Sequence, residues 1–220
     1  IIQRFGSEEL KRDELPRIVA GEAVCSLGFS EPGTGSDVFA AATRATRDGE
    51  GWRIDGQKMF TSGANIAEYV LLLARTNPNA PKHKGLTMFI VPLKAKGVEI
   101  HPIYTFQDER TNVTYYGGVQ IPDSFRLGEV NGGAKVMAAS LEIEHGSSLA
   151  KVQRQMLRAG VELCRRTQRG GRPLIEADDT IRRLARTAAH IEVATVIYHR
   201  ALWTSDEKRV NLGYGSASKV

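Results

Sequence analysis

The sequence predicts an α+β protein of more than one domain, with a central β-barrel or sandwich followed by long antiparallel helices. Between residues 24 and 127, short runs rich in Val, Ile, Leu, Tyr and Thr are separated by Gly, Asn, Asp and Pro, the rhythm of strands and turns. From residue 133 to about 205 the apolar period becomes helical. The 220 residues, 41% hydrophobic and 25% charged, suffice for one large domain or two smaller ones of ordinary globular composition.

Taken in order, residues 1–23 read as a helical tail and the end of an N-terminal helical domain. Ser7 stands ahead of a charged helix with Leu10, Leu15 and Ile18 at roughly helical spacing. The clearest strands are Trp52–Ile54, Tyr69–Thr76, Leu86–Pro92, Val98–Ile103 and Val113–Ile121, and Asn77–Pro81 is a loop by its two prolines and two asparagines. Residues 24–132 then form the β-domain and 133–220 a helical one. One long helix is expected from about Lys135 to Gln168, a break at Gly170-Gly171-Arg172-Pro173, and a second helix from about Asp178 to Thr204. Asn211–Val220, with Gly213, Gly215 and Ser216, reads as irregular.

Composition excludes several function classes. No apolar run approaches the roughly 18–20 residues that span a bilayer. The chain opens on Ile1 rather than Met, which leaves a targeting segment ahead of it open. The net charge of +5 comes without the aromatic interleaving or motif of a nucleic-acid binder. The arginines between Arg154 and Arg186 read either as a solvated helix face or as an anion site for phosphates. Cys25 and Cys164 stand far apart and the five histidines form no paired spacing, so no metal site is expected and a reducing compartment is favoured.

Two segments carry chemistry. In Phe29-Ser30-Glu31-Pro32-Gly33-Thr34-Gly35-Ser36-Asp37 the glycines let backbone approach a ligand, while peptide N–H groups and the Thr34 and Ser36 hydroxyls can bind phosphate or the polar edge of a ring. In Asp55–Ala64 the aromatic Phe60 precedes Thr61 and Ser62, offering a flat face and hydroxyls beside it. Each alone is a common surface turn. In this order and spacing they resemble the acyl-CoA dehydrogenase family. The likeness continues through Gly85–Pro92, Thr111-Asn112-Val113, Val119–Pro122 and Leu127–Gly133.

The resemblance implies an N-terminal helical domain, a β-domain and a C-terminal four-helix domain. It also implies FAD as cofactor, an acyl-CoA substrate, an electron-transfer flavoprotein as acceptor, and a homo- or hetero-oligomer. Leu27 to Ser36 (Leu27, Phe29, Ser30, Gly33, Thr34, Gly35 and Ser36) would line the flavin and its pyrophosphate, with Ser36 also near the CoA. Phe60 takes the place of the family's usual Trp against the ring, and Ser62 that of the Thr bonding flavin N5, with Thr61 between them. Arg166 is the candidate for a pyrophosphate contact from a neighbouring subunit, with Arg165 and Arg169 close by. A bacterial cytoplasmic setting is expected, with the mitochondrial matrix open. Phe60–Gly63 and Arg172–Glu176 look like members that act in steroid or branched-acyl degradation.

Dehydrogenation needs a base for the α-proton, best held in a dry site. At about 100° per residue Met137, Leu141, Glu144 and Ser148 share a helix stripe, whereas Glu142 turns away. Glu144 is therefore the candidate base, in a segment similar to the family's Leu-x-x-Glu-Arg. Other members use a later Glu, and that alternative stands. Glu142 and His145 are candidate substrate-side neighbours. The sequence departs from the family at His145 (usually Arg), Ala134 (an aromatic) and Gly117-Gly118 (acids). A same-fold flavin oxidase or monooxygenase, and a non-catalytic subunit, are the alternative functions.

Overall fold

The apolar runs of residues 24–127 become an eight-stranded mixed sheet in the computed structural model, which describes residues 1–106, 108–145, 149–206 and 217, with the backbone alone at 142–145 and 205–206. The chain divides into two compact units, Ile1–Ser140 and Leu141–Val220.

The first unit opens with three short helices, α1 (Ile2–Phe5), α2 (Glu8–Asp13) and α3 (Leu15–Val19). Ser7 caps α2: its Oγ accepts from Leu10 N at 3.1 Å and donates to the Ser124 carbonyl at 2.8 Å, which ties the tail to the sheet. The expected single helix is divided because Pro16 lacks an amide hydrogen and sits in the first turn of a new helix instead. Arg17 then bridges Glu14 at 2.7 Å and Glu68 at 2.8 Å.

The strands are β1 (Cys25–Gly28), β2 (Arg44–Asp48), β3 (Gly51–Lys58), β4 (Tyr69–Arg75), β5 (Leu86–Pro92), β6 (Val98–Tyr104), β7 (Arg110–Pro122) and β8 (Arg126–Leu127). Their order is β6-β7-β3-β2-β4-β5-β8, with β1 parallel to β4. Five lie where the apolar and β-branched runs put them. Strands β1, β2 and β8 were not expected: Cys-Ser-Leu-Gly and Arg-Ala-Thr-Arg-Asp have no apolar pattern, and Arg126–Leu127 is only two residues long. Pairing makes them strands: β2 closes a hairpin on β3 with Arg44 opposite Asp55. A bulge at Ile54/Asp55 bends β3 against β7, where Gly118 (φ +66°) donates its N–H to Asp55 at 2.8 Å.

Strands β4 and β5 are buried on both faces, as near-continuous apolar runs require. The core gathers Ile54, Val70, Leu72, Phe89, Val91, Val119 and Ile121 around Trp52, whose ring meets Phe89 edge-on at 5.3 Å and whose Nε1 donates to Asp123 at 2.6 Å.

The expected helix over 135–168 is two helices, α4 (Gly133–His145) and α5 (Ala150–Arg166). Leu149 sits at φ −88°, ψ 0°, outside helical geometry. The residues between, Gly146-Ser147-Ser148, have low helix propensity and lie outside the described residues. The break at 170–173 is a tight hairpin, β9 (Gln168–Arg169) and β10 (Arg172–Pro173). Gly170 (φ +61°) and Gly171 (φ +79°) supply the left-handed pair that a two-residue turn needs. It leads to α6 (Asp178–Asp206). Arg154 on α5 pairs with Glu192 on α6 at 2.9 Å, each about equally far from the turn, so the two helices run antiparallel. The expected irregular end at 211–220 lies outside the described residues, Ala217 apart. No described helix is long and apolar enough to cross a membrane.

Candidate functional site

The glycine-rich motif leaves β1 at Gly28 and turns back at once. Glu31 N donates to the Thr34 carbonyl at 2.9 Å and Thr34 N to the Glu31 carbonyl at 3.0 Å, closing a turn over Pro32-Gly33. The Glu31 side chain points inward. Its carboxylate accepts from Ala42 N at 2.7 Å, Thr43 N at 3.0 Å and Lys58 Nζ at 2.8 Å. Further along, the Arg75 guanidinium donates to the carbonyls of Phe39 (2.5 Å), Ala41 (3.3 Å) and Lys82 (2.7 Å), and Lys82 pairs with Asp37 at 2.6 Å. Between these two clamps Gly33, Gly35 and Ser36 are exposed.

The Phe60 corner begins where β3 ends. Met59 N donates to the Ser30 carbonyl at 2.8 Å, and Lys58 Nζ donates to the Phe29 carbonyl at 3.2 Å. Phe60 stands in the left-handed region at φ +59°, uncommon for an aromatic residue, and is 60% exposed. Thr61 behind it is fully buried. Its N–H donates to the Asn112 carbonyl at 2.9 Å, and its carbonyl accepts from Asn112 Nδ2 at 3.0 Å. The Thr61 hydroxyl meets Thr114 at 3.4 Å, and Ser62 Oγ meets Thr111 Oγ1 at 3.1 Å. Neighbouring polar groups thus fix the peptide on the far side of Phe60, which lets the ring stand out.

Lys58 is completely buried. Burial draws its ammonium below the usual lysine range, and the Glu31 charge opposes this. For Glu31, burial pushes the carboxyl up, but the Lys58 charge, its hydrogen bond and the two amide donors outweigh that and hold it below the usual value.

The fold therefore brings Phe29 and Ser30 against Lys58 and Met59 at the root of the Phe60 corner, with Leu27 partly exposed on β1. Arg166 ends α5 in the other unit, exposed, next to Arg165, which pairs with Glu162 at 2.6 Å. Glu142, Glu144 and His145 belong to the last turn of α4, and their side chains lie outside the described residues, as does Ser148. Met137, on the same expected stripe, is buried. Glu31, Lys58, Arg75 and Asn112, which build this corner, were missed by sequence reasoning. A signal existed for Lys58: it shares the even parity of the inward Trp52 and Ile54 along β3.

Three groups here have no internal explanation. A Cβ added at Gly33 or Gly35 would meet no atom within 4 Å, and neither residue is in the left-handed region. Packing and backbone conformation alike would accept a side chain, and without one a ligand can approach the backbone closely. Thr34 Oγ1 between them is buried without a hydrogen-bond partner among the described residues. A flat, phosphate-bearing group such as FAD fits this set of open backbone, a spare hydroxyl and an exposed aromatic face.

Sequence profiles of the acyl-CoA dehydrogenase middle domain and C-terminal domain match residues 26–112 and 131–220. Acyl-CoA dehydrogenase FadE26 of Mycobacterium tuberculosis is 39% identical over 201 residues, 89% of this chain and 50% of that protein. The Tcur3481–Tcur3483 steroid ACAD superposes with a TM-score of 0.85 at 36% identity, covering 99% of this chain and 56% of that one. The ChsE4–ChsE5 complex from Mycobacterium tuberculosis gives 0.84 at 37%, covering 100% and 57%. The chain spans about half the length of the curated relatives it matches.

Proposed function

The chain belongs to the acyl-CoA dehydrogenase family, and from that premise we propose that it takes part in α,β-dehydrogenation of an acyl-CoA thioester with FAD held by its sheet unit. The observation that carries this is the pair of glycines with no internal need to be glycine, beside a spare buried hydroxyl and the outstanding Phe60 ring. Leu27, Phe29, Ser30 and the Gly33–Ser36 loop would hold the cofactor through backbone N–H groups and hydroxyls. Phe60 would lie against its ring and Ser62 at the ring edge, with Thr61 fixing the corner from behind. Bound there, the flavin supplies a two-electron acceptor for hydride.

The chain's own residues supply the rest. Glu144 takes the α-proton, and Glu142 and His145 flank the substrate. Ser36 reaches the CoA. Electrons pass on to an electron-transfer flavoprotein, and Arg166 contributes to a cofactor site across a homo- or hetero-oligomer in a bacterial cytoplasm. Two-protein complexes among the solved relatives support assembly with an unlike partner. The solved steroid dehydrogenase supports a bulky, polycyclic acyl group as the first substrate class to try.

The test is anaerobic bleaching of bound FAD by a panel of acyl-CoAs, straight-chain, branched and steroid side-chain, in wild type and Glu144→Gln. Bleaching by a bulky thioester that drops about 100-fold or more in the variant is expected for a general base. Equal rates would remove Glu144 from the role, and no bleaching by any thioester would remove the activity.

A further inference from the structure

We infer that the buried Glu31–Lys58 ion pair is the positioning element that registers the glycine-rich loop against the Phe60 corner, so that cofactor affinity depends on it more than folding does. This deepens the flavin-site proposal and rests on it.

The pair lies where four segments meet. Lys58 closes β3 two residues before Phe60, and both of its bonds go to the loop, to the Phe29 carbonyl at 3.2 Å and the Glu31 carboxylate at 2.8 Å. Glu31 in turn holds the loop's exit through Ala42 N and Thr43 N. Entrance, root and exit of the loop are thus referred to the strand end that carries Phe60. One backbone bond, Met59 N to the Ser30 carbonyl, accompanies them. The Lys58 side chain is 0% exposed and that of Glu31 6%, so water does not loosen the pair.

Folding does not ask for charge at this place. A buried ion pair replaced by uncharged groups of similar volume commonly leaves stability unchanged. What the uncharged pair loses is direction: short charge-assisted bonds fix where the loop sits, and apolar contact does not. The register matters because Phe60 occupies a left-handed conformation that persists only where its surroundings over-determine it. Ser30 and Phe60, one from each side of the junction, must face one ligand together.

The experiment compares wild type with the combined variant Glu31→Gln, Lys58→Met by urea unfolding, amide hydrogen exchange and FAD titration. The variant is expected to fold, with its unfolding midpoint lowered less than in Lys58→Met alone, because the glutamine carries no buried charge and keeps one oxygen for the Ala42 and Thr43 amides. If its loop is competent only a tenth of the time, FAD binds about ten-fold more weakly, and the Glu31 and Thr34 amides, bonded to each other's carbonyls across the turn, exchange faster. A folded variant with wild-type FAD affinity and wild-type exchange overturns the inference. If the combined variant does not fold, Glu31→Asp decides: it keeps the charge but shortens the reach, so weaker FAD binding with a retained midpoint supports registration and unchanged binding overturns it. The two proposals separate cleanly. A wild type that takes up no FAD while the variant's loop still exchanges faster removes the flavin site and keeps the registration. A wild type and variant that bind FAD equally keep the flavin site and remove the registration.

Discussion

Strands β4 and β5 and helices α5 and α6 put apolar side chains to opposite use. In the strands every apolar residue is inside, with Leu72, Leu73, Met88, Phe89 and Val91 wholly shielded. In the helices apolar residues recur at helical spacing, yet Val152, Met156, Leu163, Val193, Val196 and Trp203 are exposed. The sheet finds within this chain the surfaces that its pattern calls for. The helices meet each other along one side, held by Arg154–Glu192, and leave many apolar positions open to solvent. Periodicity therefore reports which face a segment would bury, and only the packed partner decides whether it does.

Substitutions sharpen that contrast. The largest effect is expected from Lys58→Met alone, which leaves the Glu31 carboxylate buried without its partner and costs about 3–5 kcal/mol in urea unfolding. Next comes Leu72→Ala, which empties a site at the centre of the core and costs about 2–5 kcal/mol. A loss near zero at Leu72 would mean that β4 is not the packed centre described here. Trp52→Phe removes the donor to Asp123 and costs about 1 kcal/mol. Met156→Ala, at a residue 70% exposed, stays within about 0.5 kcal/mol. A loss comparable to that at Leu72 would show α5 to be buried in solution and erase the difference between the two regions.

A smaller effect follows acid. The Arg126 guanidinium beside it, helped by the Trp52 donor and Arg47, holds the Asp123 carboxyl at about 2, against an ordinary 3.8. The folded value lies below the unfolded one, so the ionised form favours folding. That contribution is complete above about pH 4 and is lost as the pH falls through about 2. Because Asp123 is only partly shielded, solvent screening keeps the effect small. Asp123→Asn should flatten this limb of the stability–pH curve. An unchanged limb would assign acid sensitivity to other carboxylates, with Glu31, also held low, the first candidate.

Much of this was legible in the residues. Apolar and β-branched runs between turn residues placed five strands, Asn77–Pro81 marked a loop, and Gly170-Gly171 marked the turn between helices. Both candidate segments stood out because glycine, hydroxyl and aromatic residues at that spacing carry a chemical signature. The supports of those segments were less visible. Lys58, Arg75 and Asn112 act through bonds to groups between 7 and 51 positions away in sequence, and local pattern carries no record of such partners. Strand β2 escaped for the same reason, since its five polar-rich residues are a strand only because β3 lies alongside. The split between α4 and α5 was signalled by Gly146-Ser147-Ser148, where helical period on both sides outweighed low propensity in the middle.

The most direct measurement is FAD titration of the wild-type chain against Gly35→Leu, with thermal unfolding of both recorded in parallel. A Cβ added here meets no protein atom within 4 Å, and the position needs no left-handed backbone. The melting temperature should therefore be unchanged while FAD binding is lost, because the side chain fills the space through which a ligand approaches the loop. A variant that melts as the wild type does and still binds FAD with wild-type affinity would show that the glycine-rich loop and the Phe60 corner do not form the cofactor site.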